Sequence, residues 1–337
     1  GGTNTNQPIP VTVSSLTDIV AVASGQDHSL ALKNDSTVWS WGADADGQLG
    51  DGGTNTNQST PVQAANLTGV IAIAAGSYHS LALKSDGTVW SWGFDGSGQL
   101  GNGAISTSQP TPVQVSVLTG IIAIAAGHGH CLALKNDSTV WSWGWDKYGQ
   151  LGDGGTNTNQ ATPVAVAALT GIKAIVAGYG HSLALKSDGT VWSWGRDFYG
   201  QLGDGAGNTN QPTPIAVAAL TGISAIAAGW NHSLALKNNG TVSSWGLDYN
   251  GQLGNDGSFS NQTTPVAVAT LTGITAIAGG EAHSLAVKND GTVWSWGWDK
   301  YGQLGDNATY GALADDKPTP VQVISLCNVS LISTPSI

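Results

Sequence analysis

A glycine followed three residues later by a histidine recurs along this chain at a constant interval of 51 residues: Gly25/His28, Gly76/His79, Gly127/His130, Gly178/His181, Gly229/His232 and Gly280/His283. The phrase Trp-Ser-Trp-Gly keeps the same beat from Trp39, Trp90, Trp141, Trp192 and Trp294, with Ser243 replacing the first Trp once. Gly-Gln-Leu-Gly does the same from Gly47 to Gly302. A unit copied without slippage is one supersecondary element that cannot bury its apolar face alone. Its copies must therefore stack, as an array, a solenoid or a propeller.

Each unit holds four strand-like runs. In the second, strand A is Val70–Ala75, B is His79–Leu83, C is Thr88–Trp92, and D is Pro61–Ala64 or its counterpart. Lys84-Ser85-Asp86-Gly87 between B and C is a tight hairpin signal. No segment carries ten residues of helical periodicity. Strands A and B are apolar on both faces, which a lone sheet cannot cover but radially packed blades can. Ala and Gly suit strand A to the crowded axis, and the Trp-rich strand C fills the widening wedge further out.

Composition agrees. Only 10% of residues are charged, while 48 are glycine and 14 tryptophan, which suits turn-rich β-structure and argues against helical bundles. A net charge of −11 with a single arginine, Arg196, disfavours nucleic acid as a partner. No apolar run reaches the roughly 18 residues of a spanning helix. Methionine is absent even at position 1, so we expect a processed product or a piece of something longer. Cys131 stands where other repeats carry Ser and reads as an inert small residue; a disulfide to Cys327 would need the two positions brought together in space.

The phrase I-A-A-G-x-x-H-S-L-A-L-K-x-D-G-T-V-W-S-W-G-x-D-x-x-G-Q-L-G resembles the regulator of chromosome condensation repeat, over roughly residues 10–333. The style is that of a bacterial, secreted member. The resemblance implies a seven-bladed propeller, and with it a single domain over residues 1–337. Residues 1–20 and 307–337 are then expected to contribute to ring closure. Gly1–Gln7 matches residues 52–58, Pro10–Val13 falls at a strand D, and Val329–Ser333 falls at a seventh strand A. Six complete repeats plus a partial seventh follow, with the missing B–C hairpin expected in a stretch of about 25 residues upstream of Gly1, from the repeat spacing. A closed six-bladed ring with a loose tail, or a hairpin from another chain, are the rivals.

Variation between the copies falls on the A–B and C–D loops, which antiparallel blades place on one face. After the motif glycine come Gln26-Asp27, Ser77-Tyr78, His128-Gly129, Tyr179-Gly180, Trp230-Asn231 and Glu281-Ala282. After Trp-Gly come Phe94, Trp145, Tyr148, Arg196, Phe198, Tyr199, Tyr249, Trp298 and Tyr301, with Lys147, Leu247 and Lys300. Tyr78, Tyr179, Trp230 and the aromatic and arginine members of the second set are the candidate partner-binding residues. Exposed rings on a regular scaffold form a recognition surface; packing between neighbouring loops is the competing role.

The motif histidines begin strand B, one strand out from the axis, and so cannot converge on a metal; a bond to a neighbouring blade's backbone is expected. The repeated Asp44, Asp95, Asp146, Asp197, Asp248 and Asp299 lack the alternating oxygens of a calcium loop and are expected to cap a turn. No catalytic constellation, metal site or cofactor site emerges. Exchange-factor members of the family carry an inserted wedge, for which the constant spacing leaves no room. Photoreceptive members carry Gly-Trp-Arg-His, where this chain has Gly229-Trp230-Asn231-His232. A secreted member that inhibits an enzyme through aromatic loops is nearest in style. The expectation is a non-catalytic extracellular or cell-surface module binding a protein or a glycan. A structural subunit that self-associates through an incomplete blade is the alternative, and an exchange factor or inhibitor is the remote one.

Overall fold

The computed structural model describes residues 6–13, 15–53, 55–155, 157–206, 209–257, 259–308, 316–326 and 329. They form six antiparallel four-stranded sheets, each a meander in chain order. In the first blade strands A to D are Ile19–Ser24, His28–Lys33, Val38–Gly42 and Gln58–Gln63. The inner strands of the others are Val70–Ala75, Ile121–Ala126, Ile172–Ala177, Ile223–Ala228 and Ile274–Gly279.

The core lies between blades rather than within them. Strand B of blades 2 to 5 is buried over five consecutive residues, as expected of a strand covered on both sides. Leu81, Leu83 and Val89 of blade 2 pack with Ile121, Ile124, Ala133 and Trp143 of blade 3, and the pattern repeats around the disc. The second Trp of each Trp-Ser-Trp, from Trp92 to Trp296, is fully buried in these seams. The first Trp lies at the outer rim beneath the hairpin lysine, 4.5 Å from it at Lys186/Trp192.

Strand D starts earlier than its prolines suggested, at Gln58 rather than Pro61. It pairs with strand C only at Trp39↔Gln63, Ser40↔Val62 and Gly42↔Gln58, with an irregularity between. As the outer edge strand it tolerates a residue without an N–H.

The expected seventh blade is corrected: the described residues form six blades and no seventh sheet. Pro10–Val13 is not a strand, and of Val329–Ser333 only Val329 is among the described residues. A strand exists only through its ladder, and among the described residues no strand C lies beside Pro10–Val13 to complete one. The segment rests on blade 6 instead. Gly302 backs onto Pro8, as Gly47, Gly149 and Gly251 back onto Pro110, Pro212 and Pro318, and the Asn307 N–H donates to Pro8 O at 3.3 Å. The Val329 N–H donates to Gly291 O at 3.2 Å. Inner strands of consecutive blades pack together from the first blade to the sixth; among the described residues no comparable packing joins the sixth to the first.

Candidate functional site

The seams that hold the scaffold rigid are polar as well as apolar. His28 Nε2 of blade 1 lies 3.0 Å from Ser80 Oγ of blade 2, and Ser80 donates its hydrogen to Gln48 O of blade 1 at 2.9 Å. The indole N–H of Trp92 donates to the same carbonyl at 2.9 Å. Because the serine hydrogen is committed, the imidazole must be the donor through Nε2, leaving Nδ1 as a bare acceptor. Nδ1 is indeed buried without a partner in all six motif histidines. The arrangement recurs at His130–Ser182–Gln150, His181–Ser233–Gln201 and His232–Ser284–Gln252. The histidine therefore bonds a neighbouring side chain, not the neighbouring backbone. Its ring covers the motif glycine: a Cβ on Gly25 would sit 2.3 Å from His28 Cε1 and 2.4 Å from Gly76 O, so only glycine fits.

The repeated aspartate caps the C–D turn. Asp44 Oδ1 accepts the Leu49 N–H at 2.9 Å, and Asp95, Asp146, Asp197, Asp248 and Asp299 accept from the matching leucine. Burial raises Asp146, Asp197 and Asp248 to about 6 despite that bond. Among the described residues no three His, Cys, Asp or Glu side chains are grouped to hold a metal ion.

Backbone bonds between the two variable loops of each blade set the face. The Phe94 N–H donates to Tyr78 O at 2.9 Å, Trp145 to Gly129 O at 2.8 Å, and Arg196 to Gly180 O at 2.7 Å. The side chains they present touch across blades 2 to 5. Phe94 meets Tyr78 with ring centroids 6.5 Å apart, Tyr78 meets His128 at 5.9 Å, and His128 meets Trp145 at 5.6 Å. His128 also stacks on Tyr179 at 4.2 Å, and Tyr179 touches Trp230 at 5.5 Å. Trp145 meets Tyr148 at 5.3 Å. Arg196 completes the chain, its guanidinium carbon 5.3 Å from the Tyr148 ring, 5.6 Å from Tyr179, 5.3 Å from Phe198 and 5.4 Å from Tyr199.

Nine of the twelve expected site residues are thus one connected group: Tyr78, Phe94, Trp145, Tyr148, Tyr179, Arg196, Phe198, Tyr199 and Trp230. Trp298 and Tyr301 form a separate pair on blade 6, centroids 5.3 Å apart, and Tyr249 stands alone, 70% exposed, with no ring contact among the described residues. His128 was not among the expected site residues, yet it joins the two halves of the group. Its signal was its place in the variable column after the motif glycine. Its Nδ1 lies 2.8 Å from Ser77 Oγ, and burial lowers its pKa. Most of these rings are half-buried against one another while Phe198 remains 56% exposed, so the surface is both packed and presented. Phe94, Tyr78, His128 and Trp145, with Asp46, Ser97 and Gln99, line a hollow of about 380 Å³.

Both signs of charge occur on the face: Arg196 and Lys147 lie in the aromatic sector with Asp46 lining its hollow, while Asp27 lies exposed on blade 1 and Glu281 and Lys300 on blade 6. Burial and then the neighbouring Asp27 raise the Glu281 carboxyl. No helix among the described residues is long and apolar enough to cross a membrane. Cys131 is a buried free thiol; Cys327, its suggested disulfide partner, lies outside the described residues.

The family pattern described as RCC1-like domain matches residues 1–335. The Arabidopsis thaliana ultraviolet-B receptor UVR8 is 35% identical over 316 residues, covering 90% of this chain and 70% of the receptor. The human E3 ubiquitin-protein ligase HERC2 is 34% identical over 322 residues, which is 91% of this chain but only 7% of the ligase. Among solved structures, yeast RCC1 (Prp20) bound to Kap60 superposes with a TM-score of 0.79 at 27% identity, covering 90% of this chain and 74% of that one. A second structure of Prp20p, from Saccharomyces cerevisiae and studied with its binding to Gsp1p and histones, gives 0.76 at 28%, covering 90% and 76%.

Proposed function

Because this chain belongs to the family of RCC1-like domains, we propose that it is a non-catalytic module that binds a protein through the connected aromatic face of blades 2 to 5. The observation that carries the reading is the continuous contact from Phe94 through His128 to Arg196 and Tyr199, built entirely from residues that break an otherwise regular repeat. Rings that already hold one another lose little further freedom on docking, which is how aromatic anchors gain affinity. Binding of Kap60, Gsp1p and histones by Prp20 supports a protein as the partner; stacked rings also accept a glycan. In this reading the protein acts outside the cell or at its surface.

The test is capture of partners by immobilised protein against the variant W145A/Y179A/Y199A. Replacing Lys84, Lys135 and Lys186 by alanine on the opposite face serves as control. Loss of the bound proteins with the first variant and retention with the second supports the reading. Equal capture by all three proteins, or binding only on a glycan array, overturns it.

A second reading, self-association, is favoured by Val22, 46% exposed on the first inner strand beside Val20 where its counterparts Ile73 and Ile124 are 8% and 2% exposed; among the described residues the sixth blade makes no comparable packing there. Sedimentation of the wild type and of V20T/V22T separates the two.

A further inference from the structure

Among the described residues no carboxylate pairs with Arg196. Among the described residues the ion pairs are made by Lys33, Lys84, Lys135 and Lys288, each to the aspartate of its own hairpin. Asn231 Oδ1 accepts from one guanidinium nitrogen at 2.9 Å, and Nε is buried without a partner. The four surrounding rings hold the cation by their electron-rich faces without neutralising it. With Nε buried and one terminal nitrogen held by Asn231, the other terminal nitrogen is the arm left to donate to an anion.

The surroundings choose between anions. A polyanion would meet a protein of net charge −11 whose same face carries exposed Asp27 and Glu281. A single carboxylate is matched by the single guanidinium, whereas further negative charge would meet Asp46, which lines the hollow beside it. Beside it, Trp145 contacts Tyr148 of the cage and also walls the hollow of about 380 Å³, which has room for an apolar side chain.

We propose that Arg196 and its ring cage anchor an Asp or Glu side chain of a partner polypeptide, with an apolar side chain of the same segment entering the hollow walled by Tyr78, Phe94 and Trp145. This rests on the reading of the aromatic face as the binding surface and adds the chemistry of what it takes. The carboxylate receives the free arm of the guanidinium, and Asn231 keeps the other arm from turning away.

The probes are three matched libraries of capped octapeptides, alike except for a central position holding Asp or Glu, Asn or Gln, or phosphoserine. They are passed over the immobilised full chain. The acidic library is expected to be retained about tenfold or more over the amide library, the size of a charge-assisted bond. R196Q and R196K should both remove the preference, the second because an ammonium lacks the plane that lies among the four rings and the second arm that Asn231 holds, while the unfolding midpoint stays at the wild-type value. Equal retention of the first two libraries, a preference that survives R196Q, or stronger retention of phosphoserine peptides or phosphatidylserine vesicles overturns the proposal. If W145A/Y179A/Y199A loses its partners while R196Q keeps them and its peptide preference, the carboxylate anchor falls and the aromatic face stands. If neither variant changes any binding, both fall.

Discussion

His79 Nε2 lies 3.0 Å from the sulfur of Cys131, whereas the matching nitrogens of His28, His130, His181 and His232 meet serine hydroxyls at 2.9 to 3.0 Å. The seam between blades 2 and 3 is therefore closed by a weaker acceptor than its neighbours. Cys131 still donates to Gln99 O, at 3.3 Å, so the relay keeps its direction.

Restoring the serine should strengthen that seam. C131S is expected to raise unfolding free energy by about 1 kcal/mol, the net worth of one hydrogen bond, and C131A to lower it by about 1–3 kcal/mol by orphaning the imidazole, while the Gln99 carbonyl keeps the Trp143 indole N–H. Urea denaturation reads both. Burial, then the charge of Asp95, pushes the thiol well above its ordinary range, so a thiol reagent should label Cys131 slowly in the native protein and at once in the unfolded one, read by peptide mapping.

Removing a regular acceptor tests the relay itself. Ser182→Ala leaves His130 Nε2 facing a methyl group and takes one of two donors from Gln150 O, which keeps the Trp194 indole N–H. A loss of about 1–3 kcal/mol is expected, against a few tenths at most for the exposed Ser187→Ala. Equal effects in urea denaturation would remove the relay as a source of stability.

Acid should weaken the fold, and the aspartate caps should soften the effect. Unfolded histidine takes its proton near 6.5, but desolvation delays the buried rings to about 4 at His28 and His283 and about 3 at His79, His130, His181 and His232. Between those limits the unfolded chain binds more protons, so stability is complete above 6.5 and is lost as pH falls towards the folded values. Asp146, Asp197 and Asp248 act in the opposite sense: raised to about 6, they take up protons in the folded chain first and add stability as pH falls from there to 3.8. Six rings outweigh three carboxyls, so a net loss is expected, and D146N/D197N/D248N should make the decline steeper. Denaturation midpoints between about pH 7 and pH 4 decide it; a flat profile would mean the rings titrate normally.

One loop carries avoidable strain. Val117 is a β-branched residue at φ 59° and 88% exposed, where the other repeats place Asn66, Ala168, Ala219 and Thr270 at similar φ. V117N is expected to stabilise by about 1 kcal/mol, because asparagine tolerates the left-handed region and nothing is packed against the valine to lose. Thermal unfolding measures the gain.

By itself the sequence determined the strands, the four-stranded blade, the inner place of the Ala-rich strand and the face on which variation gathers. All of these follow from local periodicity and turn chemistry repeated every 51 residues. The tertiary structure alone decided that His28 reaches Ser80 rather than a backbone group, that His128 joins the aromatic group while Tyr249 does not, and that the described residues form six blades. Those facts depend on which residues of different repeats meet in space. A repeat spells out each blade, but near-identical blades carry no mark of how many neighbours surround them, and a terminal run such as Pro10–Val13 becomes a strand only where a partner strand is there to bond it.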